Sequence, residues 1–368
     1  MSQKLLKYFL KLGATGFGGP LALIHQMRKD LVESDRLIEP EKFDQAFTLI
    51  KALPGPIAFQ MAVHCGHRLK GFRGALIAGF GLIFPAFVMM LIMGLYYSQI
   101  VAYPRAQIFF NGMQYAVAAV ILLGLKSFII NYKKNILFWC IVLVSAVFFF
   151  EKIVPESILI VGFGLIVVLF NRLRSTNILM SAILPAVLIS ENEKLFVIFK
   201  TCFTAGALVF GTGLAVFPFF QSQFVDHLNW LPLDVFNDGV TFGQMTPGPV
   251  TISTTFLGYQ MAGFSGACLA TLGLLIPPFF HMTTWFPRAM IWMSEQKWIS
   301  HFILGSTGAV VGCLLMTVYK MNTNEIHLFQ FWIIFIPAFL VLYFKPKFSI
   351  LKIVVCGGLL NLIIGFMS

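Results

Sequence analysis

The chain has 368 residues, 58% of them hydrophobic and only 11% charged, with a formal net charge of +11. Soluble domains carry about 25% charged residues, so a water-soluble globule is excluded, and apolar runs without alternation exclude a membrane β-barrel. The cations sit in loops and near segment ends, which fits positive-inside topology and attraction to anionic lipid; no basic–aromatic module points to nucleic acid.

What remains is an all-α polytopic membrane protein, because a backbone in lipid must satisfy its own hydrogen bonds. Apolar segments run near 5–27, 43–65, 74–98, 106–130, 136–150, 157–170 and, shorter, 178–190. They resume near 196–222, 236–257, 264–286, 300–319, 329–344 and 349–366. The start, MSQKLLKYFLKLGATGFGG, is expected to be a retained first membrane segment, since Lys11 interrupts it and no small-residue cleavage site follows. Six cysteines are scattered without C-x-x-C pairing and are expected to pack in the interior. No metal or cofactor is expected: His64 and His67 flank Cys65, but no hard ligand joins them.

Several segments fall short of the roughly 20 residues that cross a bilayer, and two carry the same interruption. LPGPIAFQ at 53–60 is answered by TPGPVTIS at 246–253, a separation of 193 from Pro54 to Pro247. The same offset pairs Gly13 with Gly206, Phe17 with Phe210, Gly18 with Gly211, Phe43 with Phe236 and Thr48 with Thr241. After the breaker it becomes 192 and pairs Gly66 with Gly258, Gly71 with Gly263, Phe72 with Phe264, Gly74 with Gly266 and Pro85 with Pro277. With 17 Pro and 31 Gly in the chain, one Pro-Gly-Pro is expected about 0.07 times by chance, so the chain is a duplication. The repeats are assigned to 1–190 and 191–368, with motif-bearing parts 9–98 and 199–286.

The loop after the first breaker, HRLKGFRG, carries Arg68, Lys70 and Arg73, whereas its counterpart YQMAGFSG is neutral. Positive-inside bias puts the first loop in the cytoplasm and frees the second to face outside. Walking on from that loop, Lys133, Lys134, Arg172 and Arg174 fall inside; if 178–190 crosses, Arg288, Lys345, Lys347 and Lys352 fall inside as well, and the repeats are inverted.

Short, Gly/Pro-interrupted segments at matching places in two repeats mark a transporter's substrate site. Pro56 suits the first position of a resumed helix, and Pro54 ends what precedes it. The amides of Ile57, Ala58 and Phe59 then lack intrahelical acceptors, as do those of Val250, Thr251 and Ile252 beyond Pro249. Open donors at the positive end of a helix dipole form an anion site. Gly55 and Gly248 provide the backbone freedom, and Gln60, Thr251 and Ser253 add side-chain hydrogen bonds. The clusters GFGGP, with Gly18, Gly19 and Pro20, and FGTGLAVFP, with Gly211 and Gly213, supply unwound backbone beside the substrate or close helix packing. Lys51, three residues before Pro54, costs roughly 2.5–3.5 kcal/mol at the membrane centre, so it either meets an anion or snorkels outward. Its counterpart is the neutral Gln244. Asp44 and Asp238 precede the two breakers without being repeat partners, and are candidates for proton or cation coupling or for solvated helix ends. No nucleophile–base pair or H-E-x-x-H motif appears, so the chain does not read as an enzyme.

Three stretches, FLKLGATGFGGP at 9–20, ALPGPIAFQMAVHCGHRLKGFRGALIAG at 52–79 and GQMTPGPVTISTTFLGYQMAGFSGACLATLGLLIPP at 243–278, resemble the chromate ion transporter family in its long, duplicated form. Pro54, Gly55, Pro56, Ala58, Gln60, Ala62, Gly66, Leu69 and Gly71 fall on that family's motif. The resemblance implies an inner-membrane exporter of chromate, a tetrahedral dianion like sulfate, driven by the proton motive force and conferring resistance. One departure is Thr212 within Phe210-Gly211-Thr212-Gly213, where the family has three glycines after the phenylalanine. The expected partners are thus a small oxyanion such as chromate or sulfate, the lipid bilayer and protons as coupling ion, with a homodimer left open. The rival readings are transport of another anion, a membrane scaffold and an intramembrane enzyme.

Overall fold

The computed structural model describes residues 2–51, 53–173, 194–209, 213–323, 325, 328–345 and 348–367, which fold into helices and short turns. The expected crossing at 178–190 lies outside the described residues. The first repeat comprises α1 (Ser2–Thr15), α2 (Gly19–Met27), α3 (Pro40–Ile50), α4 (Ile57–Val101), α5 (Pro104–Gly124), α6 (Lys126–Ile129), α7 (Ile136–Phe150) and α8 (Glu156–Leu173). The second comprises α9 (Lys194–Leu208), α10 (Val216–Phe220), α11 (Leu233–Met245), α12 (Ser253–Thr283), α13 (Phe286–Glu295), α14 (Lys297–Met321), α15 (Phe329–Phe344) and α16 (Ile350–Met367). The duplication reaches fine detail: the π-helical turn after α2, Arg28–Ser34, recurs after α10 as Gln221–His227, 193 residues on.

The first and eighth apolar segments are not single spans. Gly18 at φ 107° breaks 5–27 into α1 and α2, whose first turn carries Pro20. Among the described residues four helices are long and apolar enough to cross a membrane: Ile57–Val101, Pro104–Gly124, Val250–Thr283 and Trp298–Met321.

α4 is a hairpin rather than a rod. Lys70 (φ −147°, ψ 27°) and Gly71 (φ 59°, ψ −151°) reverse the chain, and in α12 Ala262 (φ −150°, ψ 31°) and Gly263 (φ 60°, ψ −151°) repeat the turn almost degree for degree. The arms close on glycine: a Cβ at Gly66 would lie 2.3 Å from the Gly74 carbonyl oxygen, and one at Gly258 would lie 2.4 Å from that of Gly266. At 1.5 Å per residue the short arm, residues 57–69, is about 20 Å long and the long arm, 72–101, about 45 Å. A short arm that enters with its tip at one face therefore ends, at Pro-Gly-Pro, inside the hydrocarbon layer.

The two tips lie at opposite ends of the bundle. Near the first tip, His64 and Phe72 stack edge-on against Phe286 and Phe279, beyond or at the far end of the other long arm. At the second tip, Gln260 donates to the Gly94 carbonyl at 3.0 Å, near the far end of the first long arm. The repeats are inverted. Arg68, Lys70 and Arg73 cluster at the first tip, the charge pattern that the positive-inside rule associates with a cytoplasmic loop, and Lys70 also reaches Ser2 at 3.0 Å.

The repeats also exchange their outer helices. α5 packs against α15 and α16 of the other repeat, and α14 packs against α7 and α8. Small residues permit the approach: a Cβ on Gly112 would meet the Gly357 carbonyl oxygen at 2.5 Å, and one on Gly305 would meet Gly164 Cα at 2.8 Å. Of the cysteines, Cys65, Cys202 and Cys313 are buried as expected, but Cys140 and Cys356 are exposed on α7 and α16, beside exposed apolar side chains such as Leu143 and Leu360. A thiol is apolar enough to face lipid as readily as core.

Candidate functional site: two reciprocally docked breakers

Each Pro-Gly-Pro is seated on the opposite repeat. The Gly55 N–H donates to the Val209 carbonyl at 2.8 Å, and the Gly248 N–H donates to the Gly16 carbonyl at 3.0 Å. Gly16 and Val209 are themselves 193 residues apart, so the two bonds are one contact made twice. The seats match as well. A Cβ on Gly55 would fall 2.7 Å from Pro278 Cβ, and one on Gly248 would fall 3.2 Å from Ala86 Cβ, with Pro278 and Ala86 equivalent on the two long arms. Both glycines have positive φ, 105° and 96°, which an L side chain adopts only under strain.

Beyond each breaker the chain resumes helix from extended proline, Pro56 at ψ 110° and Pro249 at ψ 131°. Pro54, Gly55, Pro56, Ile57, Ala58 and Gln60 are all buried, as are Pro247, Gly248, Pro249, Thr251 and Ser253. The two starts differ in winding. The second opens as a 3₁₀ turn, Val250–Ile252, in which the Ile252 N–H donates to the Pro249 carbonyl at 3.0 Å. That amide, expected to be open, is therefore satisfied, because a 3₁₀ turn closes its first hydrogen bond one residue earlier than an α-turn.

Three of the expected side chains keep polar atoms without partners. Gln60 donates its Nε2 to the Pro54 carbonyl at 2.6 Å, which leaves Oε1 unpaired at zero exposure. Gln244 Nε2 and Ser253 Oγ are likewise buried and unpaired. An orphaned buried polar atom costs about 1–3 kcal/mol, which singles these positions out from ordinary packing. Thr251 has no such orphan and packs its methyl against Gly213, while Thr254 returns its hydroxyl to the Thr251 carbonyl at 2.7 Å.

Of the remaining candidates, Gly213 adjoins the second helix start and the others described lie outside the breaker pair. Lys51 is exposed, with its ammonium 4.0 Å from the centre of the Phe47 ring. Gly18 is exposed, Gly19 and Pro20 are half-buried, and their loop borders a cavity of about 680 Å³ lined by Gly16, Phe17, Tyr8, Asp30 and their neighbours. Gly213 is buried against the second helix start, whereas Gly211 lies outside the described residues. Asp44 forms a two-pronged ion pair with Arg28, each arm 3.0 Å, at the exposed mouth of the first repeat. That mouth opens into a cavity of about 610 Å³ which also touches Arg36 and Arg68. The breakers themselves are buried and line neither of these cavities.

Val209, Ala86 and Pro278, and the carbonyl of Gly16, are contacts of the breakers that the sequence did not single out. The 193-residue offset pairs Gly16, which opens GFGGP, with Val209, which precedes FGTGLAVFP, and this is the signal by which they can be found.

An inverted duplication with paired broken helices buried at mid-bundle defines a membrane transporter rather than an enzyme. The comparison with known proteins supplies its family. The model described as Chromate transporter matches residues 3–169 and again 196–362, and the chain belongs to that family. It is 34% identical over 342 residues to a probable chromate transport protein of Synechococcus elongatus, covering 88% of this chain and 86% of that one. It is 31% identical over 344 residues to a chromate transport protein of Cupriavidus metallidurans, covering 88% and 83%. An uncharacterised transporter of Methanocaldococcus jannaschii is 27% identical over 382 residues, covering 98% and 92%. No solved structure matches the chain.

Proposed function

We propose that the protein moves a small tetrahedral oxyanion, chromate first among them, across the inner membrane by alternating access, with the anion held between the two breaker helix starts. Export of chromate, and with it resistance, is the direction this reading takes from the family. The observation that carries it is the reciprocal docking of Gly55 on Val209 and Gly248 on Gly16, with the unpaired Gln60, Gln244 and Ser253 atoms beside the breakers. Amides and neutral donors at two helix starts suit a dianion, because they offer hydrogen bonds and positive dipole ends without a fixed countercharge to bind it permanently. Rocking one repeat against the other would exchange which end is open while both seats travel with their partner's long arm. Reconstituted vesicles loaded with buffer should take up labelled chromate, with sulfate competing. If neither anion moves nor competes, the oxyanion reading is wrong.

A further inference from the structure

A second buried polar centre lies two and a half turns before the second breaker. Asp238, 4% exposed, accepts a hydrogen bond from the Tyr97 hydroxyl at 2.6 Å and another from Gln114 Nε2 at 2.9 Å. These partners come from α4 and α5 of the opposite repeat, so the carboxylate ties the repeats together. It lines a cavity of about 350 Å³ that is separate from the breakers. Asn237, 2% exposed, lines the same cavity; it gives its Nδ2 to the Met321 carbonyl at 3.0 Å and leaves Oδ1 unpaired. The charged groups facing Asp238 here are Asp234 on its own helix, Lys320 of α14 and Glu325 beyond it. Lys320 is engaged by Asp226 at 3.4 Å, and Glu325 accepts from Tyr115 at 2.6 Å, so no cation neutralises Asp238 directly. α5 contributes the neutral Gln114, and α12 and α16, which also pack on α11, put no titratable side chain into the cavity. The centre has no twin, since Gln45 occupies the equivalent position in the first repeat.

We infer that Asp238 is the proton-carrying group that links breaker movement to a pH gradient. An ionisable side chain buried in a membrane bundle marks an ion or proton path by default. A metal cation is the weaker ligand, because no group of three His, Cys, Asp or Glu side chains suited to a metal occurs among the described residues. A proton taken from cavity water turns the carboxylate into an acid and is returned to water when the opposite end opens. In the ionised form both oxygens accept, from Tyr97 and Gln114. In the acid form the new O–H donates, and the Tyr97 oxygen, already 2.6 Å away, can receive it as its own hydroxyl turns aside. Charge at Asp238 thus sets the grip of α11 on α4 and α5, and α11 runs about 14 Å from there to the breaker.

The inference rests on the oxyanion-transport reading, and the test separates the two. Wild-type protein and Asp238→Asn are reconstituted and assayed with labelled chromate under an imposed pH gradient, under a sodium gradient, and in exchange at equal pH. For one coupled proton a one-unit pH gradient corresponds to about a tenfold change in accumulation ratio. The wild type should show that change; Asp238→Asn should lose it while isotope exchange continues. Tyr97→Phe, a positioning change, should shift the pH profile and keep coupling. An Asp238→Asn protein that still follows the pH gradient, or one that loses only a sodium response, overturns the assignment. If the wild type moves no oxyanion, the transport reading falls alone, and infrared pH-difference spectra decide the rest: a protonated-carboxyl band absent from Asp238→Asn supports the proton site, and an unchanged band refutes it.

Discussion

Gly55 and Gly248 do the same work under unequal constraint. A side chain at a positive φ costs about 1–2 kcal/mol whatever surrounds it. At Gly55 the added Cβ also lies 2.7 Å from a rigid proline ring, whereas at Gly248 it lies 3.2 Å from the Ala86 methyl. Gly55→Ala should therefore lower the thermal midpoint in detergent more than Gly248→Ala. Leucine at either position should abolish transport while the protein still inserts; normal uptake by both leucine variants would remove the breakers from the site. Ser253 gives the opposite signature. Its hydroxyl has no partner, so Ser253→Ala relieves a cost of about 1–3 kcal/mol at most and should leave the midpoint level or raised. Chromate uptake should nevertheless fall. A lowered midpoint with unchanged kinetics would mean the hydroxyl is structural.

At the scale of elements, the hairpin turn governs where a breaker sits in the membrane. Gly71 and Gly263 meet nothing within 4 Å, so space is not what demands glycine there. The pairing of φ near 60° with ψ −151° demands it, a region closed to other residues at about 1–3 kcal/mol each. Gly71→Ala and Gly263→Ala should each destabilise by that amount in chemical unfolding, and equally; a neutral result at either would show that the turn relaxes. Much of this level was legible beforehand. The repeated Pro-Gly-Pro, the 193-residue offset and the lopsided charge of the two tips are local features, and they pointed to inverted broken helices directly. The charged stretch HRLKGFRG between the segments 43–65 and 74–98 also marked the loop at Gly71; only its tightness, a reversal made by Lys70 and Gly71 alone, was not legible, because no turn dipeptide announces it. Nor was the exposed seat of Lys51, since a lysine among apolar neighbours looks alike whether it reaches inward or rests on Phe47. The docking of each breaker on Val209 or Gly16, and the meeting of Asp238 with Tyr97 and Gln114, join residues more than a hundred positions apart. Contacts of that kind leave no trace in a single sequence.

Across the whole molecule, inversion and helix exchange make separate claims. Inversion places the exposed Phe72 and Phe264 beside tips at opposite ends. Single cysteines there should be labelled by a membrane-impermeant reagent from opposite sides; labelling of both from one side would undo the topology. Exchange makes the halves interdependent. Fragments 1–190 and 191–368 should assemble when co-expressed and be degraded when made singly, as judged by co-purification, and an isolated half that is stable and monodisperse would contradict the packing.

The exchanged packing of α5 and α14 also constrains ancestry. A forebear with one repeat would expose, on the helix that became α5 and α14, a glycine-notched stripe shaped for the terminal pair of a sister molecule. Only a sister inserted upside down could fill it. Gene fusion would then have fixed in one polypeptide a partnership that had depended on both orientations being made, and the freed second copy could lose its tip charges and acquire a carboxylate that the first never had.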